Sequence, residues 1–142
     1  TSMQLEEARN SYGQEHHITA TLPGPLLLRT DPVLYRSVCE NLLENACKYS
    51  PKGSEVHVEL SAGAGLLRFS VQDNGPGIPL EDRQRIFEKF VRVGNEETRD
   101  TKGTGLGLFI VRRLMATLGG RVEYRPVLPQ GSNFTALFPL HP

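Results

Sequence analysis

The chain has 142 residues, enough for one domain with a hydrophobic core, and its 38% hydrophobic and 23% charged content reads as globular rather than disordered. Lys+Arg and Asp+Glu both number 16, so zero formal charge removes any global electrostatic case for nucleic acid or an anionic membrane. No apolar run approaches the roughly 18–20 residues needed to cross a bilayer, and no signal peptide is visible.

Residues 1–15 read as an N-terminal connection or a cloning remnant, and residues 16–142 as the domain. HHITATL (16–22) alternates as a strand, and LPGPLLLRT follows as a loop with its own apolar content. Asp31-Pro32 is a strong helix start, with Asp as N-cap and Pro as the first helical residue. The helix is predicted from Pro32 to about Tyr49, stopping before Pro51 and Gly53. Cys39 and Cys47 fall in it eight residues apart, about 12 Å along the axis and too far to bridge. SEVHVEL (54–60) and LLRFSVQ (66–72) alternate as strands, with SAGAG as the turn between them. PLEDRQRIFEKF suggests a short helix, and residues 91–105 a mobile polar loop. LGLFIVRRLMATLGG is an apolar helix with a Gly-Gly stop. RVEYRP and NFTALFP close the domain as two strands. The order β-α-ββ-α-α-ββ suggests one layer of helices on one mixed sheet.

Three local patterns carry chemistry. On the first helix Asn41, Asn45 and Lys48 are spaced i, i+4, i+7, within a wedge of roughly 60°. Tyr35, Val38, Cys39, Leu42 and Ala46 form the apolar stripe beside that wedge, with Arg36, Glu40 and Glu44 on its other, solvated side. Taken alone, the NxxxN pair reads first as amides bonding nearby backbone. Two asparagines inside one helix are unfavourable, however, and the alternative is a face for phosphate and Mg2+. Mg2+ takes only one or two protein oxygens, and Lys48 is a suitable point charge for a phosphate.

The second pattern is DNGPGIP (73–79). If the preceding strand places Leu67, Phe69 and Val71 on one face, Asp73 is the next residue of that inward row. Taken alone, the glycines read as a tight turn, which leaves the inward carboxylate unexplained. A buried carboxylate needs donors, and an exocyclic amino group such as that of adenine would supply one. Gly75 and Gly77 would let the backbone approach the ring. The third pattern, KGTGLGL (102–108), opens the last helix. It reads either as a flexible helix start or as backbone N–H groups aimed at an anion. It fits neither GxxxxGK[ST] nor GxGxxG. One nucleotide could use all three patterns.

NLLENACKYS (41–50), DNGPGI (73–78), IFEKFVRV (86–93) and KGTGLGL resemble, in order and spacing, the N box, first glycine box, F box and second glycine box of bacterial sensor histidine kinases. The resemblance spans about residues 16–140. It implies the Bergerat ATP-binding fold shared with gyrase and MutL. That fold is α+β, a two-layer sandwich with a mixed sheet of about five strands and three helices on one face. By resemblance Asn45 matches the Mg2+ ligand, Asn41 and Lys48 match phosphate- and ribose-side contacts, and Tyr49 matches the aromatic beside adenine. Asp73 matches the adenine-reading aspartate, with Gly75, Gly77 and Ile78 shaping that end. Arg92 resembles the arginine near the γ-phosphate, which with Asn41 and Lys48 completes the expected catalytic set. Phe87 and Phe90 match aromatics that position the loop, and residues 94–102 an ATP lid. Lys102, Gly103, Thr104, Gly105, Leu106 and Gly107 match the loop over the phosphates.

The same resemblance separates members of the superfamily. Gyrase-like ATPases carry a glutamate four residues before the Mg2+ asparagine; here that position is Asn41, which is no base. The implied activity is transfer of the γ-phosphate of Mg-ATP to histidine, by positioning and charge neutralisation. The alternatives are an anti-sigma-factor-type serine kinase and a gyrase- or MutL-like ATPase. No phosphoacceptor motif is present, and His16, His17 and His57 do not stand in one. The expected partners are therefore a phosphoacceptor helical domain of the same full-length protein and a response regulator downstream, with no nucleic acid. The expected location is cytoplasmic, with no membrane insertion of this segment and the full-length protein anchored in the inner membrane.

Overall fold

The structure, a computed structural model, describes residues 17–21 (backbone), 30–88 and 107–140. In chain order these form β1 (His17–Thr21), α1 (Pro32–Tyr49), β2 (Glu55–Gly63), β3 (Leu66–Asp73), a 3-10 turn (Leu80–Asp82), α2 (Gly107–Thr117), β4 (Arg121–Pro126) and β5 (Ser132–Pro139). The strands make one five-stranded sheet in the order β1-β2-β3-β5-β4. β1 runs parallel to β2, and the other pairs are antiparallel, so the sheet is mixed as expected.

The period-two pattern decides which face is covered. The register aligns Val58, Val71 and Phe134 in one row, and Leu60, Phe69 and Ala136 in the next. α1 lays Val38, Cys39, Leu42, Leu43, Ala46 and Cys47 on this face, and α2 adds Val111 and Met115. Phe69 and Phe138 are fully buried there, each contributing about 1.5–3 kcal/mol relative to exposure. Burial pushes the Cys39 thiol up to about 12, so it stays protonated. The opposite face carries a polar cluster in which Thr135 Oγ1 donates to Asn133 Oδ1 (2.8 Å) and Asn133 Nδ2 donates to Ser70 Oγ (2.9 Å).

Both helices have local start or stop chemistry. Asp31 Oδ1 accepts from the N–H of Val33 (2.9 Å) and of Leu34 (3.2 Å), which caps α1 at Pro32. α2 ends in a Schellman arrangement, with Gly120 N–H bonded to Met115 O (2.8 Å) and Gly119 N–H to Ala116 O (3.1 Å).

Two expectations differ in detail. β2 and β3 pair as far as Gly63 opposite Leu66, so the turn is only Ala64-Gly65 rather than SAGAG. Both turn residues have positive φ (53° and 74°), a type I′ geometry whose twist matches the strands. The predicted helix after Pro79 is instead the 3-10 turn and successive turns to Glu88, held by backbone bonds three residues apart. Ile86 is its one buried side chain, while Leu80 is 74% exposed. An α-helix there would have no apolar stripe to bury, so tertiary packing does not sustain one. Phe90 lies outside the described residues.

Candidate functional site

Asp73 ends the inward row of β3, as its spacing predicts, and is 3% exposed. Its Oδ1 accepts from Gly75 N–H at 2.8 Å, and the Ser132 N–H is a second donor. Burial pushes the carboxyl above the ordinary carboxylate range, and the two donors only partly offset this. An acceptor held in this way at a buried floor suits a ligand that brings its own N–H.

The turn after Asp73 lies against the end of α1. A Cβ at position 75 would stand 2.6 Å from the Tyr49 carbonyl oxygen and 3.0 Å from Asp73 Oδ1, so this approach requires glycine. Across the turn, a Cβ at Gly131 would overlap the Asp73 carbonyl oxygen, so the β4–β5 connection also closes on it. Gly77 lies beside Gly131, and Ile78 packs half-buried against the core.

At its other end the wedge of α1 meets α2. Asn41 Nδ2 donates to Ser37 O (2.7 Å) and to Ser37 Oγ (3.3 Å). Asn41 Oδ1 stands 3.5 Å from where a Cβ of Gly107, the first residue of α2, would lie. Asn45 is half-buried one turn further on, and among the described residues its amide has no hydrogen-bond partner. One helix face thus runs from Gly107 (beside Asn41) past Asn45 to Gly75 (beside Tyr49). Lys48 Nζ pairs with Glu44 Oε1 at 2.7 Å, with the side chains 31% and 45% exposed. Such a pair is worth about 0–1 kcal/mol, so a stronger anion could displace Glu44. Glu40 is taken by Arg36 at 2.8 Å, which leaves an amide and no carboxylate at the Asn41 position.

Arg92, Lys102, Gly103, Thr104, Gly105, Leu106 and the 94–102 segment lie outside the described residues. Phe87 packs edge-on against Phe134, with centroids 6.2 Å apart. Two residues escaped the sequence reading. Tyr124 accepts the Ile78 N–H at its hydroxyl (3.3 Å), and Arg83 Nε donates to the Ile78 carbonyl (3.1 Å). A signal for Tyr124 was available: an inward tyrosine on an alternating strand needs a partner for its hydroxyl.

Asp73 thus offers a buried acceptor at one end of this helix face, and Asn41 stands beside the start of α2 at the other. A family model described as "Histidine kinase-, DNA gyrase B-, and HSP90-like ATPase" matches residues 30–142. The chain belongs to that family. Its relatives include the sensor histidine kinase AruS of Pseudomonas aeruginosa, 49% identical over 104 residues, which cover 70% of this chain and 10% of AruS. Sensor histidine kinase WalK of Bacillus subtilis is 34% identical over 142 residues, covering 96% of this chain and 23% of WalK. Among solved structures, the mycobacterial sensor histidine kinase MprB superposes with a TM-score of 0.84 at 32% identity, over 99% of this chain and 93% of that one. Full-length ShkA in complex with AMPPNP superposes with a TM-score of 0.79 at 34% identity, over 97% of this chain and 29% of that one. The chain spans 10%, 28% and 33% of three curated relatives it matches. These relatives are sensor histidine kinases, so the gyrase-type and serine-kinase alternatives are not favoured.

Proposed function

We propose that this chain is the ATP-binding catalytic domain of a two-component sensor histidine kinase. It holds Mg-ATP and presents the γ-phosphate to a histidine on a separate helical dimerisation and phosphoacceptor domain. The bond from the γ-phosphorus to the bridging oxygen breaks, an imidazole nitrogen takes the phosphoryl group, and ADP leaves. A response regulator then receives the phosphoryl group. The observation that carries this reading is Asp73, buried at the end of β3 with its turn seated on α1. The family description and the AMPPNP held by ShkA support an adenine nucleotide as the ligand.

Each residue has a role in this reading. Asp73 accepts from the adenine amino group, Gly75, Gly77 and Ile78 shape that end, and Tyr49 lies beside the ring. Asn45, whose amide has no partner among the described residues, offers its oxygen to Mg2+, which needs few protein ligands when phosphates supply the rest. Among the described residues no group of three His, Cys, Asp or Glu could hold a metal by itself. Asn41 and Lys48 serve the phosphate and ribose side, with Arg92 near the γ-phosphate. Residues 102–107 cover the phosphates. An amide at Asn41 cannot accept a proton from water, so the phosphoryl group is kept for the acceptor. Among the described residues no helix is long and apolar enough to cross a membrane. By the family reading, not from that absence, we place the domain on the cytoplasmic side of an anchored protein.

Incubation with γ-labelled ATP and Mg2+ tests this. Label is expected on the histidine of a supplied acceptor helix pair, and none on the chain alone. Release of free phosphate outpacing transfer to the acceptor would overturn it.

A further inference from the structure

Both backbone polar groups of Ile78 are held by side chains from outside its turn. The N–H donates to the Tyr124 hydroxyl at 3.3 Å, and the carbonyl accepts from Arg83 Nε at 3.1 Å. The two holders also touch each other, with the Arg83 guanidinium carbon 5.7 Å from the Tyr124 ring centroid. The Tyr124 ring leans on Phe134 at 5.2 Å, and Phe134 meets Phe87 edge-on at 6.2 Å. A continuous stack therefore joins the 79–88 segment, β4 and β5, and its polar tips close on one peptide. The β4–β5 connection reaches the same turn again, where Gln130 Nε2 donates to Asn74 O at 3.2 Å.

Packing alone does not ask for this chemistry. Phenylalanine would fill the Tyr124 position against Phe134 equally well, and the hydroxyl serves only Ile78 among the described residues. Arg83, likewise, gains little by packing on a half-exposed segment; its Nε–carbonyl bond and its place over the ring define its position.

We propose that Tyr124 and Arg83 are positioning residues that set the height of the 73–79 turn over the purine, and so tune discrimination at the base end of the site. This rests on the adenine-nucleotide reading above. Neither residue contacts Asn41, Asn45 or Gly107, so the phosphate and cation end is untouched.

The test uses the whole chain with Tyr124→Phe, which keeps the ring, and Arg83→Met, which keeps the stem over it. ADP and inosine diphosphate, which lacks the amino group, are titrated calorimetrically with Mg2+, and melting is followed alongside. Each variant is expected to bind ADP about three- to tenfold more weakly, as loss of one hydrogen bond implies. Inosine diphosphate should lose less, so the affinity ratio narrows while the melting temperature stays within a few degrees. An unchanged ADP affinity and ratio in both variants overturns the proposal. So does an equal loss for both nucleotides with a lowered melting temperature, the mark of a merely structural role. If Tyr124→Phe does not fold, Arg83→Met decides alone. A native chain that takes up no adenine nucleotide overturns the functional reading and this proposal together. Native binding with indifferent variants overturns this proposal only.

Discussion

Asp73→Asn is expected to act in opposite directions on the free and the liganded domain. The amide keeps the shape of the side chain and one oxygen for the Gly75 N–H, now bonded at 2.8 Å. It removes a charge from a residue that is 3% exposed. Burial raises the folded-state pKa of Asp73 above its unfolded value. Between those two values the folded state binds more protons, so this group's contribution to stability falls as pH rises through the window and is level above it. The ionised carboxylate is therefore a cost to the ligand-free domain at neutral pH. Asparagine has no such slope. The stability of the variant minus that of the native chain should grow as pH rises out of the ordinary carboxylate range, then level off. An amide has one acceptor oxygen for two donors, Gly75 and Ser132, which offsets the gain by about 0.5–1.5 kcal/mol. That offset lowers the plateau and leaves the slope, so the slope is the measurement that counts.

With nucleotide bound the sign reverses. A hydrogen bond to a charged acceptor is worth about 1.5–3 kcal/mol, and losing it weakens ADP binding roughly ten- to 150-fold. Calorimetric titration of native and variant chains at neutral pH reads the affinity. Urea melts across the acid-to-neutral range read the slope. ADP affinity within about twofold of native would refute the adenine role of Asp73. A flat stability difference across pH would refute the buried carboxyl, raised above its ordinary range, on which that role is built.

Asn45→Ala should abolish the Mg2+ dependence of ATP uptake while changing stability by less than about 1 kcal/mol, since the amide gives up no described hydrogen bond. Titrations with and without Mg2+ that still differ in the variant would remove the metal role. Ala64→Asn should stabilise the domain by about 0.5–1 kcal/mol, because an exposed alanine at φ 53° pays a left-handed cost that asparagine largely avoids. The urea midpoint should rise with ADP affinity unchanged; a fall would contradict the turn geometry.

What could be read from sequence was local. Asp31-Pro32 and the 3.6-residue stripe defined α1 because cap, period and stop lie within one element. The row Leu67, Phe69, Val71, Asp73 pointed to the buried carboxylate because a strand's period is two. The expected helix after Pro79 was not sustained, because it has only the adjacent Ile86 and Phe87 to pack on the core, with no apolar residue a turn earlier beside them but the exposed Leu80. The extra strand pairs up to Gly63 were hidden because alanine seldom adopts the positive φ that Ala64 takes. The Glu44–Lys48 pair was legible at its i,i+4 spacing, yet sorting the helix by angle put the two residues in different sectors and overlooked the reach of lysine.

The end of the candidate site at Asp73 was least legible, for a topological reason. β5 lies between β3 and β4, although both β4 and β5 follow β3 in the chain. That insertion sets Ser132 opposite Asp73 and brings Gly131 against the Asp73 carbonyl. It also puts Tyr124, 46 residues from Ile78 in sequence, within hydrogen-bond reach of it. In the proposed reading the DNGPGI motif supplies the chemistry, while the β4–β5 hairpin and Arg83 hold its turn in place. A motif of six residues can persist in sequence and still lose its geometry if that hairpin shifts. This is why Tyr124→Phe, far from the motif in sequence but touching it in space, tests the assembled site more sharply than another change within it.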